Sequence, residues 1–182
     1  MGAIREIGPG VTMEQLAKAG GVTKPILYRH FGDRDGLSRA IAERFATDLL
    51  TSVTRPLAAD VDARALLHST VDSYVAFIER DPNLYRFMVQ HRLERSDSRN
   101  SMSSLVDMIA RQVAMVANER LRAAGRDTGA AVPWAYGIVG LVHQAGAWWV
   151  EDQTISRDTL VSYLVTLLWD GLSAARSVEA EA

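Results

Sequence analysis

Five side chains between residues 24 and 30 form the cluster in this chain whose types and spacing point most directly to a chemistry. Lys24, Tyr28 and Arg29 are hydrogen-bond donors, His30 adds an imidazole, and Ile26 adds an aliphatic group. The spacing predicts that all five lie on the outer face of one short helix, facing water. Such donors suit phosphate oxygens and the guanine edge of the major groove, and an aliphatic group suits a thymine methyl. The chemistry expected is therefore non-covalent recognition of double-stranded DNA. Lys24 and Arg29 are candidates for base edges or phosphates, and Ile26 for a methyl. Thr12, Tyr28, His30 and Arg34 would position the DNA backbone, with Thr23 and Pro25 at the helix start completing the set.

Catalysis has no comparable apparatus. The histidines His30, His68, His91 and His143 are scattered without a metal-ligand spacing, and no nucleophile elbow or phosphate loop is present. Glu79 and Asp81 flank a helix end next to Pro82, where a cap and a solvated acid are the ordinary roles. No enzyme activity, no cofactor and no metal site is expected.

Two short helices must present the cluster. Thr12 is a good N-cap with Gln15 three residues on, and Leu16 with Ala17 supplies an apolar face. Gly20 and Gly21 permit a sharp turn. Thr23 can cap the second helix, Pro25 sits in its first turn, and Leu27 with Phe31 forms its inward face. A long helix then runs from Asp33 to about Val53 through Leu37, Ile41, Phe45 and Leu49. The helical period returns over Asp62 to Arg80. After the stop at Asp81-Pro82, a short helix carries Leu84, Phe87 and Met88 and gives way to a polar loop over 95–101. A further helix through Leu105, Ile109, Val113 and Val116 closes at Ala124-Gly125. The final helix, capped by Ser156, is widened by Tyr163, Trp169 and Leu172. With no strand alternation and no internal repeat, the fold class is all-α.

The bulk properties narrow the partners. The 182 residues carry a net charge of −2 and no cysteine, which excludes disulfides and thiolate metal sites and is compatible with a cytoplasmic location. Residues 1–50 hold seven Lys plus Arg against six Asp plus Glu, so any DNA contact must be local rather than a basic coat. Ala130 to Val150 is long and apolar enough to suggest a membrane span. Its Gly and Pro content, its central His143 and Gln144 and its lack of basic flanks argue instead for a helix buried in protein.

The segment GVTKPILYRHFGDRDGL resembles the recognition helix and following residues of the TetR family of bacterial transcriptional regulators. The turn glycine, the Leu27-Tyr28 pair, the His30-Phe31 pair, Arg34 and Leu37 all stand in register, and the likeness covers roughly Ile7 to Phe45. The resemblance implies phosphate contacts for Tyr28 and His30, and it puts Arg34 at a place usually held by lysine. One departure is plain. A full helix is expected ahead of Thr12, and only Ala3 to Ile7 precedes Gly8-Pro9-Gly10, so Leu16, Leu27 and Phe31 are expected to lack a packing partner.

The family likeness also implies a division into a helix-turn-helix DNA-binding domain over 1–48 and a helical ligand-binding and dimerisation domain over 49–182. Pairing would use the last two helices, with Gly140 and Ala147 admitting close approach and Trp149, Leu160, Tyr163, Leu164 and Leu167 at the seam. By analogy, Tyr74, Phe77, Met88, Met108, Met115, Val139, His143 and Trp148 surround a pocket for a small apolar effector, with His143 as its polar handle. The function implied is a ligand-responsive regulator, most simply a repressor that binds a palindromic operator as a homodimer. The alternative is an all-α ligand-binding or interaction protein that has lost DNA binding through its short N-terminus.

Overall fold

The computed structural model describes the backbone of residues 1–58, 61–93 and 102–178, and side chains over 1–57, 61–88 and 105–171. The polar segment 95–101 and the Leu172 side chain lie outside the described residues. Among those described there is no strand. The helices are α1 (Gly2–Ile7), α2 (Met13–Ala19), α3 (Lys24–Phe31), α4 (Arg34–Thr54), α5 (Ala63–Arg80), α6 (Pro82–Leu93), α7 (Met102–Ala123), α8 (Ala131–Asp152) and α9 (Arg157–Val178), with a 3₁₀ turn at Pro56–Ala58.

Local side-chain chemistry sets where several helices start. Thr12 and Gln15 form a reciprocal capping box, the Thr12 hydroxyl accepting from the Gln15 N–H at 3.2 Å and Gln15 Oε1 accepting from the Thr12 N–H at 2.8 Å. Asp33 accepts from the Gly36 N–H ahead of α4, Asp62 from the Arg64 and Ala65 N–H groups, and Ser156 from the Thr159 N–H. Thr23 departs from expectation. It occupies the cap position of α3, yet its hydroxyl makes no cap hydrogen bond. Pro25 stands where a first-turn donor would be, which removes one of the N–H groups a cap can reach.

The chain divides into two compact units, one of Met1–Leu49 with Arg80–Leu105 and one of Leu50–Glu79 with Val106–Ala182. In the first unit, Ile4, Val11, Met13, Ala17, Leu27, Leu37, Ile41 and Phe45 are buried, as are Leu84, Tyr85, Phe87 and Met88 of α6. The expectation of missing packing is therefore corrected for α2 and for Leu27, which is buried, while Leu16 and Phe31 are half-buried. Short as it is, α1 places Ile4 fully inside, and it packs on both α2 and α6. Arg5 makes a two-pronged pair with Asp81, Nε to Oδ1 at 2.6 Å and Nη2 to Oδ2 at 2.9 Å. Asn83 donates to the Arg5 carbonyl at 2.9 Å.

In the second unit, α8 buries one stripe, Ala131, Ala135, Val142, Gly146, Trp149 and Val150. Gly146 is where α5 comes closest: a Cβ there would stand 2.8 Å from Tyr74 Cε1 and 2.9 Å from Ile78 Cδ1. Arg157 ties the start of α9 to α5 through Asp72 and Glu79, each at 3.1 Å. Three residues expected at a subunit seam face inward instead. Trp149 is 2% exposed and donates its indole N–H to the Ile155 carbonyl at 2.7 Å, and Leu160 and Leu164 are buried beside Val161 and Val165. No helix among the described residues is long and apolar enough to cross a membrane, α8 included.

Candidate nucleic-acid interface

The α2–turn–α3 element is shaped by its glycines and its inward side chains. Gly21 takes a φ of +65° after α2, and the Val22 N–H returns to the Ala17 carbonyl at 3.0 Å, which closes the turn. Leu27 is buried and Phe31 half-buried, so α3 is anchored along one edge. At its far end a Cβ on Gly36 would stand 1.9 Å from the Phe31 carbonyl oxygen, so the tight α3–α4 junction requires glycine there.

With that edge inward, the rest of α3 is solvent-facing. Thr12, Thr23, Lys24, Pro25, Ile26, Arg29, His30 and Arg34 are exposed, and Tyr28 is half-buried. Lys24 Nζ lies 5.9 Å from the centroid of the Tyr28 ring, a cation–π distance that holds these two together on one flank. His30 packs edge-on to Phe31, its ring centroid 4.6 Å away. Lys24, Arg29 and Arg34 have no ion pair among the described residues, as is also the case for Lys18 and Arg39, whereas Arg5 is paired with Asp81 and Arg44 with Asp48. Three cations without an ion pair thus stand exposed on α3 and at the start of α4.

The residues expected around an effector are distributed less simply. Tyr74 and Phe77 are buried, Val139 and His143 are half-buried, and the Tyr74 hydroxyl lies 3.1 Å from His143 Nδ1. Met108, Met115 and Trp148 are exposed. The cause for Trp148 is the orientation of α8. Successive residues differ by about 100° around a helix, so with Trp149 inside, Trp148 turns out to 48% exposure. Met88 belongs to the first compact unit rather than the second. Of the residues expected at a seam, Tyr163 and Leu167 are 64% and 61% exposed, and Gly140 and Ala147 are half-buried. A surface cleft of about 360 Å³ is lined by Asp62, Arg64, Ala65, His68, Ser162, Val165 and Thr166, none of them an expected ligand residue.

A pairing between α7 and α8 had no sequence signal. The Tyr136 hydroxyl on α8 donates to Asp107 on α7, which also accepts from Arg111 at 2.8 Å. The Tyr136 hydrogen bond, then that of Arg111, holds the Asp107 carboxyl below the usual carboxylate range, and the same bond pushes the Tyr136 phenol up.

Residues 4–41 match the family described as bacterial regulatory proteins, tetR family, and residues 52–182 match the tetracyclin repressor-like C-terminal domain. The chain is a TetR-family transcriptional regulator. An uncharacterized HTH-type transcriptional regulator of Mycobacterium tuberculosis, Rv0472c, is 36% identical over 175 residues, covering 93% of this chain and 72% of the relative. The activator FasR of Mycolicibacterium smegmatis is 26% identical over 171 residues, covering 88% and 73%. The crystal structure of FadR from Bacillus subtilis in complex with stearoyl-CoA superposes with a TM-score of 0.72 at 19% identity, covering 92% of each chain. In this TetR-family chain, α2 and α3 form the helix-turn-helix of the DNA-binding domain, and the family consists of regulators, not enzymes.

Proposed function

We propose that this regulator represses transcription from a palindromic operator, which it binds as a homodimer in the cytoplasm and leaves when a small apolar effector binds. The observation that carries the reading is the surface of α3, where Lys24, Arg29 and the neighbouring Arg34 stand exposed and unpaired around Tyr28, Ile26 and His30. In this reading residues 1–48 read DNA, and residues 49–182 sense the ligand and pair the subunits.

A second copy is supported by apolar side chains that α8 and α9 leave in water. Trp148, Tyr163 and Leu167 are all exposed on helices whose opposite faces are already buried, and two half-sites need two recognition helices. For the effector, the support is the Tyr74–His143 pair. It is a hydrogen-bonded polar pair on the two helices that cross closely at Gly146. A long-chain acyl-CoA is the first compound to try, because the FadR structure of the same fold holds stearoyl-CoA. Release follows if the ligand prefers the conformation that holds the two recognition helices at the wrong spacing.

The test begins with duplexes enriched from a randomised library by the full chain. Stearoyl-CoA added to the selected complex is expected to weaken binding at least fivefold, the low end of ordinary allosteric coupling. Enrichment of no duplex contradicts the regulator reading. Tighter binding with stearoyl-CoA contradicts release, and unchanged affinity contradicts acyl-CoA as the effector class.

A further inference from the structure

Ile26 is 45% exposed on a helix whose other exposed residues, Pro25 apart, are polar. A helix advances about 100° per residue, so the buried Leu27 and half-buried Phe31 fix which way the rest of α3 points. Arg29 lies opposite that anchored edge, with Ile26 about 60° to one side of it and Pro25 about 40° to the other. Lys24 and Tyr28 occupy a separate flank, held together by their cation–π contact. The outermost stripe therefore carries a cation with a planar, forked donor set and an aliphatic group that has no donor or acceptor.

We propose that Ile26 and Arg29 act as a reading pair in the major groove, Ile26 packing on a thymine 5-methyl and Arg29 donating two hydrogen bonds to a guanine. The inference rests on the DNA-binding reading above and names the base step that it selects. Thymine is the only one of the four bases that carries a methyl in the major groove, and an isoleucine can satisfy none of the donors and acceptors of the other base edges. Arginine matches guanine O6 and N7. Residues three apart on a helix have Cβ atoms about 5–6 Å apart, which spans one to two base-pair steps of about 3.4 Å. Each half-site should thus contain a T within two base pairs of a G·C pair.

The test uses the full chain and the best duplex enriched from a randomised library. Each thymine is replaced in turn by deoxyuridine, which removes only the methyl, and affinity is measured for the wild-type chain and for Ile26→Ser. Ile26 is exposed, so the variant is expected to keep its helical circular dichroism and its melting temperature. One thymine per half-site should matter to the wild type, deoxyuridine there weakening binding about fourfold, the effect of one buried methyl. Ile26→Ser should bind the thymine duplex more weakly and be indifferent to that replacement. Duplex binding with no methyl-sensitive position, or equal sensitivity in Ile26→Ser, overturns the reading pair and leaves DNA binding intact. Failure to enrich any duplex overturns both.

Discussion

Lys24 does two things at once, stacking near Tyr28 and leaving its ammonium without a carboxylate partner. A phosphate contact by this cation releases condensed counterions, so Lys24→Ala is expected to reduce the slope of log affinity against log salt by about one. An unchanged slope contradicts the role. A second residue-scale expectation concerns Asp107, whose titration the Tyr136 hydroxyl and Arg111 depress. A carboxyl lowered in the folded state contributes stability that is present above its unfolded pKa of about 3.9 and is lost as pH falls through the folded value. Tyr136→Phe should move the Asp107 titration, followed by NMR, up toward the ordinary range, and an unmoved titration contradicts the assignment. At this scale the sequence was informative wherever partners are close in the chain. Thr12 and Gln15 are three apart and form the capping box, but Asp107 and Tyr136 sit on different helices and no spacing rule links them.

At the scale of elements, α8 separates what periodicity can settle from what it cannot. The helix was legible from its length and apolar content, but a helix apolar nearly all round gives little direction. Trp148 and Trp149, about 100° apart, were equally plausible on either side. The usable signal was the small-residue row, since Ala131, Ala135 and Gly146 share the buried stripe with Val142 and Trp149. Gly146→Ala should therefore lower stability by about 1–2 kcal/mol in a denaturant titration, because the new methyl must displace Tyr74 and Ile78. Gly137→Ala, with nothing within 4 Å of its Cβ, should be neutral or stabilise by up to about 1 kcal/mol through helix propensity. Equal effects at the two glycines contradict the close crossing. Arg5→Ala should cost about 1–2 kcal/mol, a value discounted for the half-exposed guanidinium, because it leaves the buried Asp81 carboxylate short of a partner. A change within about 0.3 kcal/mol contradicts that role.

For the whole molecule, division at residues 48 and 49 follows chain order, whereas each compact unit draws on two separate stretches. The reason is the packing of α6 on α1, where Arg5 meets Asp81 across 76 positions of sequence without any local signal. What chain order did reveal was the helix-turn-helix, because its glycines, cap and inward pair all lie within twenty residues. Assembly carries the remaining expectation at this scale. Leu167→Asp puts a charge on an exposed apolar site that a partner would bury, so it should shift the chain toward monomer while its melting temperature at low concentration stays unchanged. An unshifted association state contradicts use of this face. The most direct measurement is sedimentation of the chain with a labelled duplex selected from a randomised library. The expected result is a complex of two 20.0 kDa chains per duplex, lost when Lys24 and Arg29 are both replaced by alanine. A complex that survives that replacement, or a chain that selects no duplex, contradicts it.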